Sequence, residues 1–143
     1  MSAVSSVLFV CNYNTIRSPM AESLAKLALG ERLYVQSAGL EAGLEDGAAD
    51  PFVGAVLEER GLPFAHEPKA LEDLDDEWFD LVVTLTPRAH HRALEMTRTQ
   101  PTTVEYWPVP DPTATEGSRE QRMEAYRETR DYLEERIRKR LGS

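Results

Sequence analysis

Apolar and polar positions fall into two kinds of block that alternate along the chain. Ser5 to Val10, Leu33 to Ser37, Leu81 to Leu85 and Val104 to Val109 are short runs rich in Val, Leu and aromatic residues. Such near-continuous apolar runs predict strands buried on both faces. Between them, apolar residues recur three or four positions apart. Met20, Leu24, Leu27 and Ala28 mark a helix ending at Gly30. Phe52, Val53, Val56 and Leu57 mark one started by Asp50-Pro51 and stopped at Arg60-Gly61. Pro87 opens a third, carrying Ala89, Ala93, Leu94 and Met96. Met123, Tyr126, Leu133, Ile137 and Leu141 stripe a long fourth from Ser118 to Leu141. Glu41 to Ala49 reads as a surface loop, and Leu71 to Trp78 as an acidic turn or brief helix that packs through Trp78 and Phe79. The alternation predicts a single three-layer α/β domain over 1–143, an open four-stranded parallel sheet with helices on both faces.

In such sheets ligands sit outside the carboxyl ends of strands, and Cys11, Ser37 and Asp111 each follow a predicted strand. The first of these junctions is the most informative. Val7 to Val10 ends at Cys11, and the helical pattern resumes at Ser18-Pro19, a favoured N-cap followed by a favoured first helical residue. The N–H groups at a helix start lack internal partners and carry partial positive charge, so a loop curled around them holds a phosphate-like dianion. Arg17 adds a two-pronged donor, and the same dipoles favour a thiolate over a thiol. Cys11 is therefore the candidate nucleophile, with Arg17 holding the anion it attacks. Asn14 tolerates a left-handed turn and can brace the loop through its amide. Asp111, stiffened between Pro110 and Pro112, is placed as a general acid would be.

Composition narrows the chemistry. With 25 acidic against 16 basic side chains, the net charge of -9 argues against nucleic acid or an anionic membrane as partner. No apolar run reaches the roughly 20 residues of a membrane span. One cysteine cannot form an internal disulfide, and the N-terminus lacks a secretory pattern, so a cytoplasmic address is expected. His66 stands alone and His90-His91 face different sides of a helix, so neither a metal nor a cofactor is expected.

Cys11 through Ser18, flanked by Val7 to Val10 and by Pro19-Met20-Ala21-Glu22, resembles the phosphate-binding loop of the low-molecular-weight protein tyrosine phosphatases. The similarity continues in order through Ser37-Ala38-Gly39, Asp50-Pro51, Asp80 to Leu85 and Asp111-Pro112. It implies a phosphomonoester hydrolase working through phosphocysteine on Cys11. Arg17 would be the transition-state ligand, Ser18 the group stabilising the thiolate, and Asp111 the general acid and then base. Asn12, Tyr13, Asn14, Thr15, Ile16 and Arg17 would form the phosphate loop, and Asn14 with Ser37 would brace it. The implied partner is a phosphorylated substrate, a phosphotyrosyl protein or small aryl phosphate, met by a monomer or weak dimer. The chain departs from the family at Tyr13, where glycine is usual, and at Ile16, where a second cysteine is common. Asn12, Thr15, Thr113 and Ala114 stand where the family's pocket walls are apolar or aromatic. Two alternatives follow: arsenate reduction with an external small thiol, or a non-catalytic module that binds phosphate or phosphoproteins.

Overall fold

The structure is a computed structural model and describes residues 4–41, 51–75 and 78–142. Four parallel strands, β1 (Ser6–Cys11), β2 (Tyr34–Gly39), β3 (Leu81–Thr84) and β4 (Thr103–Tyr106), form one sheet in the order β2-β1-β3-β4. The chain steps from β1 to one neighbour and then returns to the other side, so the switch in winding falls at the carboxyl end of β1. That is the place where an open α/β sheet presents a crevice. Alternate residues of β1 serve opposite layers: Val7, Phe9 and Cys11 join one core cluster, Leu8 and Val10 the other. The larger cluster draws on α1 (Arg17–Leu29), α2 (Pro51–Glu58) and α4 (Arg119–Leu141), with Phe9 meeting Trp107 edge to face. The smaller takes Ala89 and Ala93 from α3 (Pro87–Met96), together with Leu71 and Phe79.

Several boundaries differ from the sequence reading. The first helix begins at Arg17, with Ile16 at its N-cap and no side-chain cap, so Ser18 lies within the first turn instead of capping it. Its hydroxyl is directed elsewhere, to the sulfur of Cys11. Leu27 is exposed, and so is Ala28, because the buried stripe of α1 runs through Ala21, Leu24, Ala25 and Leu29. Leu94 and Met96 are likewise exposed and only the two alanines of α3 face the sheet. Trp78, expected to pack inward, is about half exposed, while its neighbour Phe79 is buried. Among the described residues of the acidic stretch there is one short turn, Leu71–Asp73. The loop expected at Glu41 to Ala49 falls outside the described residues beyond Glu41, and so does the cap Asp50. No helix among the described residues is long and apolar enough to cross a membrane.

Helix α4 is fixed at its start by a capping box, in which Ser118 accepts from the N–H of Gln121 and the Gln121 side chain accepts from the N–H of Ser118. Its stripe of Met123, Tyr126, Leu133 and Ile137 is buried as expected. Between Tyr126 and Leu133 the stripe is filled by Thr129 and by Arg130, a buried cation that the alternating charges of the sequence had concealed. Arg130 donates to the Val56 carbonyl at 2.9 Å and to Glu59 at 2.7 Å, which ties α4 to the end of α2.

Candidate active site

The loop from Cys11 to Arg17 is built around Asn14, which is fully buried and sits at φ 58°. Asparagine tolerates this left-handed conformation better than most residues. Its side chain accounts for the strain it absorbs, since every polar atom of the amide is used. Oδ1 accepts from the Lys69 backbone N–H at 2.9 Å, and Nδ2 donates to Ser18 Oγ at 2.8 Å and to Ser37 Oγ at 3.0 Å. The Lys69 N–H can only donate, so the orientation of the amide is settled, and the rest of the chain of hydrogen bonds follows from it. Ser37 Oγ, receiving from Asn14, donates to Glu22 Oε1 at 2.5 Å. Ser18 Oγ, also receiving from Asn14, has its own proton for Cys11 Sγ at 2.9 Å. A carbonyl, Ala38 O, lies farther off at 3.5 Å. The Asn14 N–H approaches the same sulfur at 3.3 Å. Cys11 thus receives two donors, the arrangement a thiolate requires.

His66 and Gly39 complete the loop's support. His66 Nε2 lies 3.0 Å from both Asn14 O and Asn14 Oδ1, so this nitrogen carries a proton and donates to both. Burial pushes His66 below its ordinary value, against the opposing pull of the Asn14 carbonyl and of Glu22. Nothing in the sequence placed His66 here, because 52 residues separate it from Asn14 and a single histidine has no pattern. Gly39 ends β2 beside the loop. A Cβ there would stand 2.6 Å from Glu41 O and 2.7 Å from Asn14 N and Tyr13 C, all backbone atoms, so only glycine lets the loop nest against the strand.

The remaining loop residues divide by direction. Asn12 turns to α3, where Thr86 donates to its Oδ1 at 2.7 Å while also capping that helix through the Ala89 N–H. Ile16 packs against the larger core, Thr15 is half-buried, and Tyr13 is exposed. Arg17 is partly buried, and its Nη1 donates to the Val109 carbonyl at 2.9 Å. This bond brings the guanidinium to the segment that carries Asp111, two residues farther on. Asp111 is exposed and caps a short turn, Pro112–Ala114. Thr113 gives both its N–H (2.9 Å) and its hydroxyl (2.7 Å) to Asp111 Oδ1. Both bonds fall on one oxygen, which leaves Oδ2 available to carry a proton. The first turn of α1 holds no acidic residue and no side-chain cap, so its positive end is directed at the loop. Among the described residues no group of His, Cys, Asp and Glu is arranged to hold a metal ion.

A nucleophilic sulfur, an anion cradle and a carboxyl on a separate loop can transfer a phosphoryl group. The family model described as "Low molecular weight phosphotyrosine protein phosphatase" matches residues 6–143. An arsenate reductase of Bacillus licheniformis is 34% identical over 137 residues, covering 94% of this chain and 93% of that protein. A protein-arginine-phosphatase of Bacillus subtilis is 33% identical over 145 residues, covering 92% of this chain and 91% of its own length. Among solved structures, that of a YwlE mutant from Bacillus subtilis superposes with a TM-score of 0.76 at 30% identity, covering 94% of each chain. By sequence, by fold and over nearly its whole length, this chain belongs to the low molecular weight phosphotyrosine protein phosphatase family.

Proposed function

We propose that the protein is a phosphomonoesterase working by two in-line displacements, with Cys11 as nucleophile, Arg17 as phosphate ligand and Asp111 as general acid and base. The observation that carries this reading is the ordered hydrogen-bond chain that ends on Cys11 Sγ. In the first step the sulfur attacks phosphorus, the bond to the leaving oxygen breaks, and Asp111 delivers its proton to that oxygen. Charge on the transferring group is met by loop N–H groups and Arg17, and the departing oxygen never becomes a free anion. In the second step the Asp111 carboxylate takes a proton from water, which attacks phosphocysteine, and phosphate leaves with thiolate restored. Ser18 serves the sulfur at both ends of the cycle, as donor to the entering thiolate and again to the departing one.

The phosphorylated residue is the finer question. Family relatives are named for tyrosine and arginine phosphatase activity, and Thr15, Thr113 and Ala114 stand at positions where the resemblance leads one to expect apolar or aromatic pocket walls, while Asn12 is turned to Thr86. Arsenate reduction is the second reading, favoured by the arsenate reductase relatives. With a single cysteine, the second thiol that reaction consumes must come from a small external thiol. The test is phosphate release from an aryl phosphate, from phosphotyrosyl and phosphoarginyl peptides, and arsenate turnover with a small thiol, all in the presence of a chelator. Wild type is expected to hydrolyse a phosphate ester, and Cys11→Ser to lose at least about 10³-fold in kcat/KM. Undiminished hydrolysis by Cys11→Ser would sink the mechanism, and arsenate turnover exceeding phosphate release would favour the second reading.

A further inference from the structure

A cavity of about 280 Å³ opens between the segment bearing Asp111 and helix α4. Val109, Pro112, Ala125 and Tyr132 give it apolar walls, and Asp111 and Glu128 supply two carboxyl groups. It adjoins the active site, since it shares Asp111 and since Val109 accepts the bond from Arg17.

Glu128 is distinctive within α4. Glu120 and Glu124 pair with Arg127, Asp131 with Arg60 and Arg130, and Glu134 with Arg60. Glu135 pairs with Arg138 and Lys139. Glu128 is exposed, has no ion pair among the described residues, and is the acid of this helix that lines the cavity. The helix neighbours of Glu128, three and four positions away, are Glu124, Ala125, Asp131 and Tyr132, none of them basic, and Arg136 lies over the Trp107 and Tyr132 rings. A cavity with apolar walls and two carboxyl groups fits a cation on an aliphatic stem, which buries its methylenes and leaves its head at the acids.

The geometry points to a subsite for a basic side chain, Lys or Arg, that flanks the phosphorylated residue of a polypeptide substrate. This deepens the phosphatase reading above and rests on it for the identity of the neighbouring site. The net charge of -9 favours approach of such a substrate. A cation here also gains attraction during the first displacement, because Asp111 begins that step protonated and ends it as a carboxylate. The subsite therefore acts more strongly on the transition state than on ground-state binding.

Paired peptides that differ only in lysine or norleucine beside the phosphorylated residue, made in phosphotyrosyl and phosphoarginyl forms, provide the test. Binding to the Cys11→Ser protein by calorimetry is expected to favour lysine by about fivefold at low salt, less as salt rises. Adding Glu128→Gln is expected to bring the ratio to about one, and Glu128→Lys to transfer the preference to a glutamate-bearing peptide. Equal binding of the pair, no binding of either, or a preference that survives Glu128→Gln would overturn the subsite. Hydrolysis of an aryl phosphate by wild type is measured in parallel. Its absence would remove the phosphatase reading, whereas the peptide-binding ratio decides the subsite separately.

Discussion

Two polar networks hold this molecule together, and they are made of different material. Around the loop from Cys11 to Arg17 the supporting groups are an amide, two hydroxyls, backbone N–H groups and an imidazole, with the Glu22 carboxylate at the outer end of the chain. Between α2 and α4 the network is made of full charges, with Glu59 shared by Arg127 and Arg130, and Arg60 bound to Asp131 and Glu134. The reason lies in what each region must accept. Under the phosphatase reading the loop has to leave its N–H groups and Arg17 free for a dianion, so the support behind it is ordered by directional neutral bonds. A helix contact that receives nothing can use charge, provided the buried member is paired, as Arg130 is.

The largest expected effect breaks the neutral network at its centre. Asn14→Ala deletes the amide that orients Ser18 and Ser37, and it leaves a residue ill suited to φ 58°. The Ser18 proton is then free to turn toward Ala38 O, away from sulfur. We expect kcat to fall by about 10²-fold, with a change in KM much smaller than that, because displacement by about an ångström costs that much in a positioned reaction. Retention of wild-type kcat would show that Ser18 is oriented without the amide.

The charged network is expected to behave in the opposite way. Arg130→Met keeps the bulk of the side chain but removes the donor to Val56 O and one of the cations on Glu59. Stability is expected to fall by about 2 kcal/mol in denaturant titration, with kcat/KM per folded molecule unchanged. Glu59, which the hydrogen bonds from Arg127 and Arg130 hold below the usual carboxylate range, adds a pH signature. A depressed carboxyl contributes stability above its unfolded value, lost as pH falls through the folded one, so the deficit of the variant should narrow below about pH 4. A loss of activity equal to the loss at Asn14 would erase the distinction between the two regions.

How far each region is legible in the sequence follows from the same contrast. The strand, the loop and the helix start around Cys11 are contiguous, so their chemistry is written in neighbouring letters, and Asn14, Arg17, Ser18 and their resemblance to a known loop could be read directly. The strands and the layering followed from alternation, since buried parallel strands advertise themselves as unbroken apolar runs, whereas their order in the sheet came only with the fold. The helix faces were harder. Leu27, Leu94 and Met96 obey helical spacing yet lie exposed, because small residues such as Ala21, Ala25, Ala89 and Ala93 sit against the sheet and periodicity alone does not reveal which side a neighbour covers. Residues that reach the site from afar carried no local signal. His66 and Lys69 come from an irregular stretch, Thr86 from the turn before α3, and each is defined by a bond to the loop that only the folded chain brings within reach.

The smallest expected effect tests the imidazole of the neutral network. The Nε2 proton of His66 is present in both the neutral and the charged ring, so its bonds to Asn14 survive protonation and only the local charge changes. Because burial holds His66 below its unfolded value of about 6.5, the folded protein favours the neutral ring. The associated stability is complete above that value and declines as pH falls through it toward the lower folded value, where the unfolded chain takes up the proton more readily. His66→Gln retains a donor for one of the two Asn14 acceptors and has nothing to titrate. We expect kcat to drop by roughly 3- to 10-fold, as for the loss of one hydrogen bond, well short of Asn14→Ala. The fall in Tm between pH 7.5 and about 5 is expected to be shallower than in wild type. A fall equally steep in the variant would assign this pH dependence to other groups, and a loss of kcat as large as that of Asn14→Ala would make His66, with its two bonds, as central to the loop as the amide it supports.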